Sequence, residues 1–220
     1  YIFSLSYKND YRYYDEVVYS EYQREIDKDE NELVYSDRQV GEVSTRNNLV
    51  GLLGGLAYKT KLSKIRFTPM RLQNGESKSA RFDLDQNSSA VGRSGYIGGS
   101  HNLEYTERSL TNFLLNGTHV LKADGWEVDW RVSPTFSTAN DPDLRRTAFT
   151  YSAVDTSFQV GNAGVPTRTW RELSEFNIVS KLNLKKDHKL FDEDAILKFG
   201  FSHSYKSRDY EILNYRIQFI

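Results

Sequence analysis

The sequence predicts an all-β chain of long antiparallel strands belonging to a transmembrane β-barrel. Three observations carry this prediction: strict apolar–polar alternation, a polar composition rich in aromatic residues, and connections that alternate between short and long. The alternation is clearest where Trp126, Val128, Trp130 and Val132 interleave with Glu127, Asp129, Arg131 and Ser133. Since successive side chains of a strand point to opposite faces, one face is apolar and the other charged.

Composition supports a barrel over a soluble domain. The 220 residues include 29 basic and 30 acidic ones, a balance that gives no indication of nucleic acid as a partner. Only 38% of residues are hydrophobic, yet there are 15 Tyr and 12 Phe, and the mean hydropathy is −0.64. A membrane barrel has this profile because lipid-facing and lumen-facing residues alternate. The apolar run 49–57 is too short for a membrane helix, which needs about 20 residues.

The first half of the chain reads as three strands. Residues 1–22 alternate between apolar and polar side chains and contain many tyrosines. Residues 27–32 are expected to form a charged loop, and residues 33–60 a second strand antiparallel to the first. A short reversal at 61–64 leads into a strand over 65–82. A loop rich in Gly, Ser and Asn follows at 83–101.

The second half reads as four more strands. Residues 103–121 are extended, and the Asp124-Gly125 pair predicts a tight turn. Residues 126–137 are expected to form the next antiparallel strand, and residues 139–169 a long irregular connection. Apolar and polar residues alternate again over 170–185. A turn at 186–194 precedes alternation from 195 and a last extended run to 220. The short connections near 62, 124 and 190 thus alternate with long ones near 30, 92 and 155, as tight periplasmic turns alternate with outside loops in outer-membrane barrels.

Several short motifs resemble one family. They are 105–110 (YTERSL), 115–119 (LNGTH), 126–130 (WEVDW), Ser133-Pro134 and 141–145 (DPDLR), with 52–58, Lys64-Ile65 and 72–75 (LQNG) as the preceding hairpin. In this order and spacing the chain resembles TonB-dependent outer-membrane receptors of the Bacteroidetes type. The resemblance covers most of the chain and is densest over 49–146.

The resemblance implies a 22-stranded barrel in the bacterial outer membrane, filled by an N-terminal plug and energised through a TonB box. About seven strands fit into this chain, and neither plug nor TonB box is visible, so the expectation is a barrel segment. The implied partners are outer-membrane lipid, TonB acting through a plug outside this sequence, and a surface lipoprotein or other outer-membrane subunits. Two alternatives stay open: a complete small barrel, since Tyr215, Ile217 and Phe219 alternate like a closing strand, and a scaffold-type barrel in a larger assembly.

The alternation assigns candidate residues to two faces. The lumen-facing candidates are Glu127, Asp129, Arg131, Glu175 and Lys181, and Glu107 is added to them as a residue able to grip a plug. The lipid- or interface-facing candidates are Trp126, Val128, Trp130, Val132, Trp170, Phe199 and Phe201. Tryptophan is expected in the interface girdles, where amphipathic rings prefer to lie.

Motifs for catalysis, metal or cofactor are not found in the sequence. The four histidines lack metal-ligand spacing. Asp27, Asp29 and Asn31 begin a calcium-loop spacing, but Glu32 and Arg38 stand where that loop needs Gly and Glu. Asp141-Pro142-Asp143 reads as a turn, because Pro fixes φ and Asp bonds its own backbone. The expectation is a non-enzymatic wall without metal or cofactor.

Overall fold

The chain forms one antiparallel sheet. The computed structural model describes residues 1–24, 33–84, 96–121, 125–158, 165–191 and 193–217. The strands are β1 (Ile2–Arg24), β2 (Leu33–Lys59), β3 (Ser63–Leu84), β4 (Ile97–Leu121), β5 (Trp126–Tyr151), β6 (Thr156–Ser157), β7 (Thr167–Leu190) and β8 (Glu193–Arg216). Neighbours in the sheet follow the order β1-β2-β3-β4-β5-β7-β8, and the short β6 pairs with β5. The predicted all-β antiparallel class is confirmed, with an open sheet.

Each long strand pairs with the next long strand along the chain, so the connections fall at two ends of the sheet. We call the end with connections 60–62, 122–125 and 191–192 the short-turn end, and the opposite end the long-connection end. Thr60 organises one short turn, since its hydroxyl accepts hydrogen bonds from the amides of Leu62 (3.3 Å) and Ser63 (2.9 Å). Gly125 has φ +65°, a conformation that glycine adopts without strain. The other residues of the predicted Asp124-Gly125 turn, and the 27–32 loop, lie outside the described residues.

The strands are longer than the sequence indicated toward the long-connection end. β5 continues to Tyr151 and β7 begins at Thr167, so much of the stretch read as irregular over 139–169 is strand. β3 runs to Leu84 and β4 starts at Ile97, which shortens the loop read at 83–101.

The Asp141-Pro142-Asp143 turn prediction is wrong. These residues belong to β5 and lie at a register shift between Asp141 and Leu144 against β7. Proline has no N–H to give to a ladder and is accepted in sheets at bulges, where pairing is already interrupted. The segment therefore marks a bulge inside a strand. A second shift in β1, between Tyr14 and Val17, contains Glu16 at φ 56°.

Among the described residues, no helix is long and apolar enough to span a membrane.

Candidate functional site

The ladder registers sort the side chains onto two faces. Directly opposed residues of an antiparallel pair lie on the same face, so one face can be followed from strand to strand. Glu127, Asp129 and Arg131 fall on what we call the polar face, opposite Lys185, Asn183 and Lys181. Glu175 shares that face through Ser137. All five lumen-facing candidates therefore lie together, while their contact with a lumen stays a prediction.

The opposite face carries a continuous apolar zone, which we call the band. It includes all the lipid-facing candidates except Trp170, because Val128 pairs with Leu184 and then Phe199, and Trp130 with Leu182 and then Phe201. The band comprises Phe3, Leu5 and Tyr7 on β1, Val50, Leu52, Leu56 and Tyr58 on β2, Ile65, Phe67 and Pro69 on β3, Phe113, Leu115 and Leu121 on β4, Trp126, Val128, Trp130, Val132, Pro134 and Phe136 on β5, Phe176, Ile178, Leu182 and Leu184 on β7, and Leu197, Phe199, Phe201 and Tyr205 on β8.

The band adjoins the short-turn end and is open to its surroundings. Leu5, Leu56 and Phe201 are 64%, 62% and 66% exposed. Single apolar residues are often exposed on protein surfaces, but these three belong to one contiguous apolar surface. Soluble monomers rarely leave such a surface uncovered, since contiguous apolar patches beyond a few hundred Å² usually contact a partner or lipid. Further along the same face, toward the long connections, the residues become polar, as with Gln73, Ser109 and Thr138.

A series of hydrogen bonds within the band gives the indole N–H of Trp130 an acceptor. Its Nε1–H donates to Nε2 of His119 at 3.0 Å, and the planes of the two rings lie nearly parallel, at an angle of 11°. Because Nε2 accepts, a neutral His119 carries its proton on Nδ1 and donates to the hydroxyl of Ser63 at 2.9 Å. Gly117 makes room for the indole, since a Cβ at that position would lie 2.6 Å from it.

The polar face is joined by ion pairs between neighbouring strands. Glu175 on β7 binds Lys206 at 3.1 Å and Arg208 at 2.5 Å, both on β8. Asp141 on β5 binds Arg171 on β7 at 2.7 Å. These charges match across the strands, so they stabilise the register of this half of the face.

A hollow of about 740 Å³ lies on the polar face toward the long-connection end. Its lining runs from Val17, Tyr19 and Glu21 of β1, through Asp37 and Gln39 of β2, Lys78, Phe82 and Leu84 of β3, and Ser100 and Asn102 of β4, to Arg146 and Ala148 of β5. Residues of five strands border one cavity, so the polar face is concave here. We call it the five-strand cavity.

The cavity combines a packed floor with polar walls. Leu84, Ser100 and Ala148 are at most 4% exposed. Tyr19 donates to Glu21 at 2.9 Å, and this hydrogen bond raises the pKa of the phenol. The side-chain carbonyl oxygen of Asn102 is buried without a partner among the described residues. Sequence reasoning missed this cavity, because its residues come from five strands and share no local motif.

The β5 bulge holds an acid between two arginines. The Asp143 carboxylate accepts hydrogen bonds from Arg168, at 2.8 Å and 3.1 Å, and also from Arg145. These hydrogen bonds lower the pKa of Asp143 to about 2, and the bond from Arg168 contributes most to the shift. Arg168 also lies 4.9 Å from the centre of the Trp170 ring. The bulge thus ties β5 to β7 beyond the band.

Trp170 and Glu107 are set apart from the other candidate residues. Trp170 is on the banded face, but it lies six residues beyond Phe176, where the band ends on β7, and contacts Tyr215 with ring centres 5.6 Å apart. Glu107 pairs with Gly75 and Asn140 and therefore lies on the banded face, so the interpretation that grouped it with lumen-facing acids is wrong. There it accepts a hydrogen bond from Tyr105 at 2.8 Å.

Within the described ranges, no group of three or more His, Cys, Asp or Glu residues is placed to hold a metal ion. A comparison with known proteins finds no matching family model, no matching curated protein and no matching solved structure.

Proposed function

We propose that this chain is part of the wall of a bacterial outer-membrane β-barrel, in a receptor that takes up its substrate with energy from TonB. The observation that carries the proposal is the band. It occurs on all seven long strands, on the face opposite the concave polar surface. A barrel wall needs this arrangement, with lipid outside and a polar lumen inside.

The height of the band fits a membrane. On β5 it runs ten residue steps, from Trp126 to Phe136, which is about 33 Å along the strand at about 3.3 Å per residue. With the tilt of about 45° usual for membrane strands, this becomes about 23 Å. Outer-membrane barrels carry an apolar zone about 25 Å tall.

The polar parts of the strands beyond the band would then extend outside the cell. The five-strand cavity lies on that part of the polar face, so the proposal places it where an incoming substrate meets the receptor. The transport mechanism itself, with a plug moved by TonB, rests on the family resemblance of the motifs between residues 52 and 145. In this mechanism the wall performs no covalent chemistry and no metal or cofactor takes part.

Cysteine labelling tests the proposal, and the chain is suited to it because it contains no cysteine. Val154→Cys lies at the long-connection end, where Val154 is 95% exposed. Lys61→Cys lies in an exposed short turn. In whole cells that express the full-length protein, a membrane-impermeant maleimide should label position 154 and leave position 61 unlabelled until the outer membrane is permeabilised.

Permeabilised cells supply the control, since both positions should react there equally. Labelling of 61 but not 154 in intact cells would reverse the topology. Recovery of the protein in the soluble fraction would discard the membrane assignment.

A further inference from the structure

The five-strand cavity carries charges of opposite sign at its two ends. One row of the sheet, formed by Val43, Ala80, Asn102 and Arg146, crosses the cavity on the side nearer the band. Lys78 lies one row closer still to the band. We call Arg146 and Lys78 the basic end of the cavity.

The acidic end of the cavity, Glu21 and Asp37, lies further toward the long connections. These two acids directly oppose each other on β1 and β2, and Asp37 is six residues from Val43 along β2. Six residue steps correspond to about 20 Å, at about 3.3 Å each. Tyr19 donates to Glu21 at 2.9 Å, and Gln39 donates to Asp37 at 3.3 Å. Directly opposed like charges destabilise an antiparallel pair, so a cation bound between the carboxylates would offset a repulsion.

The basic end has polar groups available for a ligand. Neither Arg146 nor Lys78 forms an ion pair with another described residue. Asn102 directly opposes Arg146, yet its buried Oδ1 accepts no hydrogen bond within the described part of the chain. A guanidinium binds a carboxylate through two parallel N–H bonds, whereas an amide oxygen needs an N–H or O–H donor. The basic end therefore suits a carboxylate with an N–H group beside it.

The floor between the two ends is apolar. Phe82, Leu84 and Ala148 occupy the rows that separate Arg146 from the acidic end. A ligand lying along the cavity thus meets apolar surface in its middle and charge at both ends. The volume of about 740 Å³ is within the range of about 300–1,000 Å³ that is usual for small-ligand sites.

We infer that the five-strand cavity binds a short peptide with free termini, with its carboxylate at the basic end and its ammonium group at the acidic end. The inference rests on the proposed function, because it names the class of substrate that the receptor takes up. An extended chain rises about 3.3 Å per residue, so about six residues span the distance between the ends. The last peptide N–H donates to Oδ1 of Asn102, and apolar side chains of the peptide contact the floor.

The separation of the charges argues against other extended ligands. A neutral oligosaccharide can have the same length, but it would desolvate both ends of the cavity without supplying a counter-charge. A polyanion would be repelled by Glu21 and Asp37, and a polycation by Arg146 and Lys78. Complementary charge mainly provides specificity, and here it selects a ligand that carries both signs at opposite ends.

Calorimetric titration of the full-length protein in detergent with the hexapeptide Gly-Ser-Gly-Ser-Ala-Leu tests the inference. The peptide with free termini should bind saturably. Amidation of its carboxylate should weaken binding at least tenfold, and acetylation of its amino group at least threefold, because each removes one charge contact. In Arg146→Gln the effect of amidation should fall below threefold, since the main partner of the carboxylate is gone. Arg146 is exposed, so the fold is expected to tolerate this change.

The matched control is Arg108→Gln, which removes the same charge from an exposed position of the polar face outside the cavity. It should change the affinity less than twofold and keep the tenfold effect of amidation. The inference is overturned if the peptide does not bind, if the free and amidated peptides bind equally, or if both variants lose the same affinity. The comparison of free and amidated peptides on the unchanged protein decides the matter even if Arg146→Gln does not fold.

A carbohydrate site is the remaining outcome of the titration. Tighter binding of maltohexaose, a neutral glucan of six sugars, would overturn the inference in favour of that site. The titration involves neither lipid nor TonB, so it can fail while the cysteine labelling still supports a membrane wall. Loss of the membrane assignment, in contrast, would be seen in the labelling and fractionation.

Discussion

Val132 is the residue at which the band is most directly tested. It lies near the middle of the band on β5, between Leu115 of β4 and Ser180 of β7. Val132→Arg places a charge on the face proposed to meet lipid. If this position is close to the bilayer midplane, the free energy of unfolding should fall by about 2–4 kcal/mol.

Thr138 provides the matched control for that substitution. It lies on the same strand and the same face, but beyond Phe136, where the band ends. Thr138→Arg should lower the free energy of unfolding by about 0–1 kcal/mol, the value for positions near an interface. Urea titration in lipid vesicles measures both variants. An equal loss in the two, or a larger one at Thr138, would show that the band does not contact the hydrocarbon.

At the scale of elements, Gly41 fixes the contact between β2 and β3 next to the β1 bulge. A Cβ at Gly41 would lie 2.0 Å from the backbone carbonyl oxygen of Arg81 and 2.6 Å from the ring of Phe82. Since backbone cannot rotate away, Gly41→Ala must push the two strands apart. Overpacking of this kind typically destabilises by about 1–3 kcal/mol.

Gly75 on β3 is the comparison position for this prediction. The three atoms nearest to a Cβ there all belong to the Tyr105 side chain, and the closest is its hydroxyl, at 3.3 Å, which is the mobile end of that side chain. Gly75→Ala should therefore leave stability nearly unchanged. Denaturant titration compares the two variants, and the steric account of Gly41 is refuted if both lose the same amount.

The alternation of apolar and polar residues allowed most elements to be predicted from the sequence. A period of two is a local property, so the faces of Trp126 to Ser133 and of Phe199 and Phe201 could be assigned without any structure. The Asp141-Pro142-Asp143 segment could not, because Asp and Pro favour turns locally, whereas the pairing of β5 with β4 and β7 on both sides of the segment keeps it within a strand. Glu107 was misplaced because its flanking residues Thr106 and Arg108 are also polar, so local alternation does not distinguish a polar from an apolar face there.

At the scale of the molecule, the sheet formed by the described residues has two unpaired edges, β1 and β8. Within a bilayer each unsatisfied backbone group costs several kcal/mol, so an open edge in lipid is strongly unfavourable. Residues 1–220 expressed alone behind a signal peptide should therefore fail to insert stably, or be degraded. Heat-modifiable mobility on gels and resistance to protease measure insertion, with the full-length protein as the control. A protease-resistant monomer of this length would establish a complete small barrel instead.

The number of strands in the sheet determines what can complete it. Within the part of the chain that the structure describes, seven antiparallel strands lie along the path from β1 to β8. Because seven is odd, the two edge strands run in the same direction. Joining β8 directly to β1 would create a parallel ladder in a sheet whose other pairings are antiparallel. A second copy inserted with the same orientation would meet the first in the same parallel way. A fully antiparallel closure therefore requires an odd number of additional strands between the two edges, which gives the even total usual for bacterial barrels.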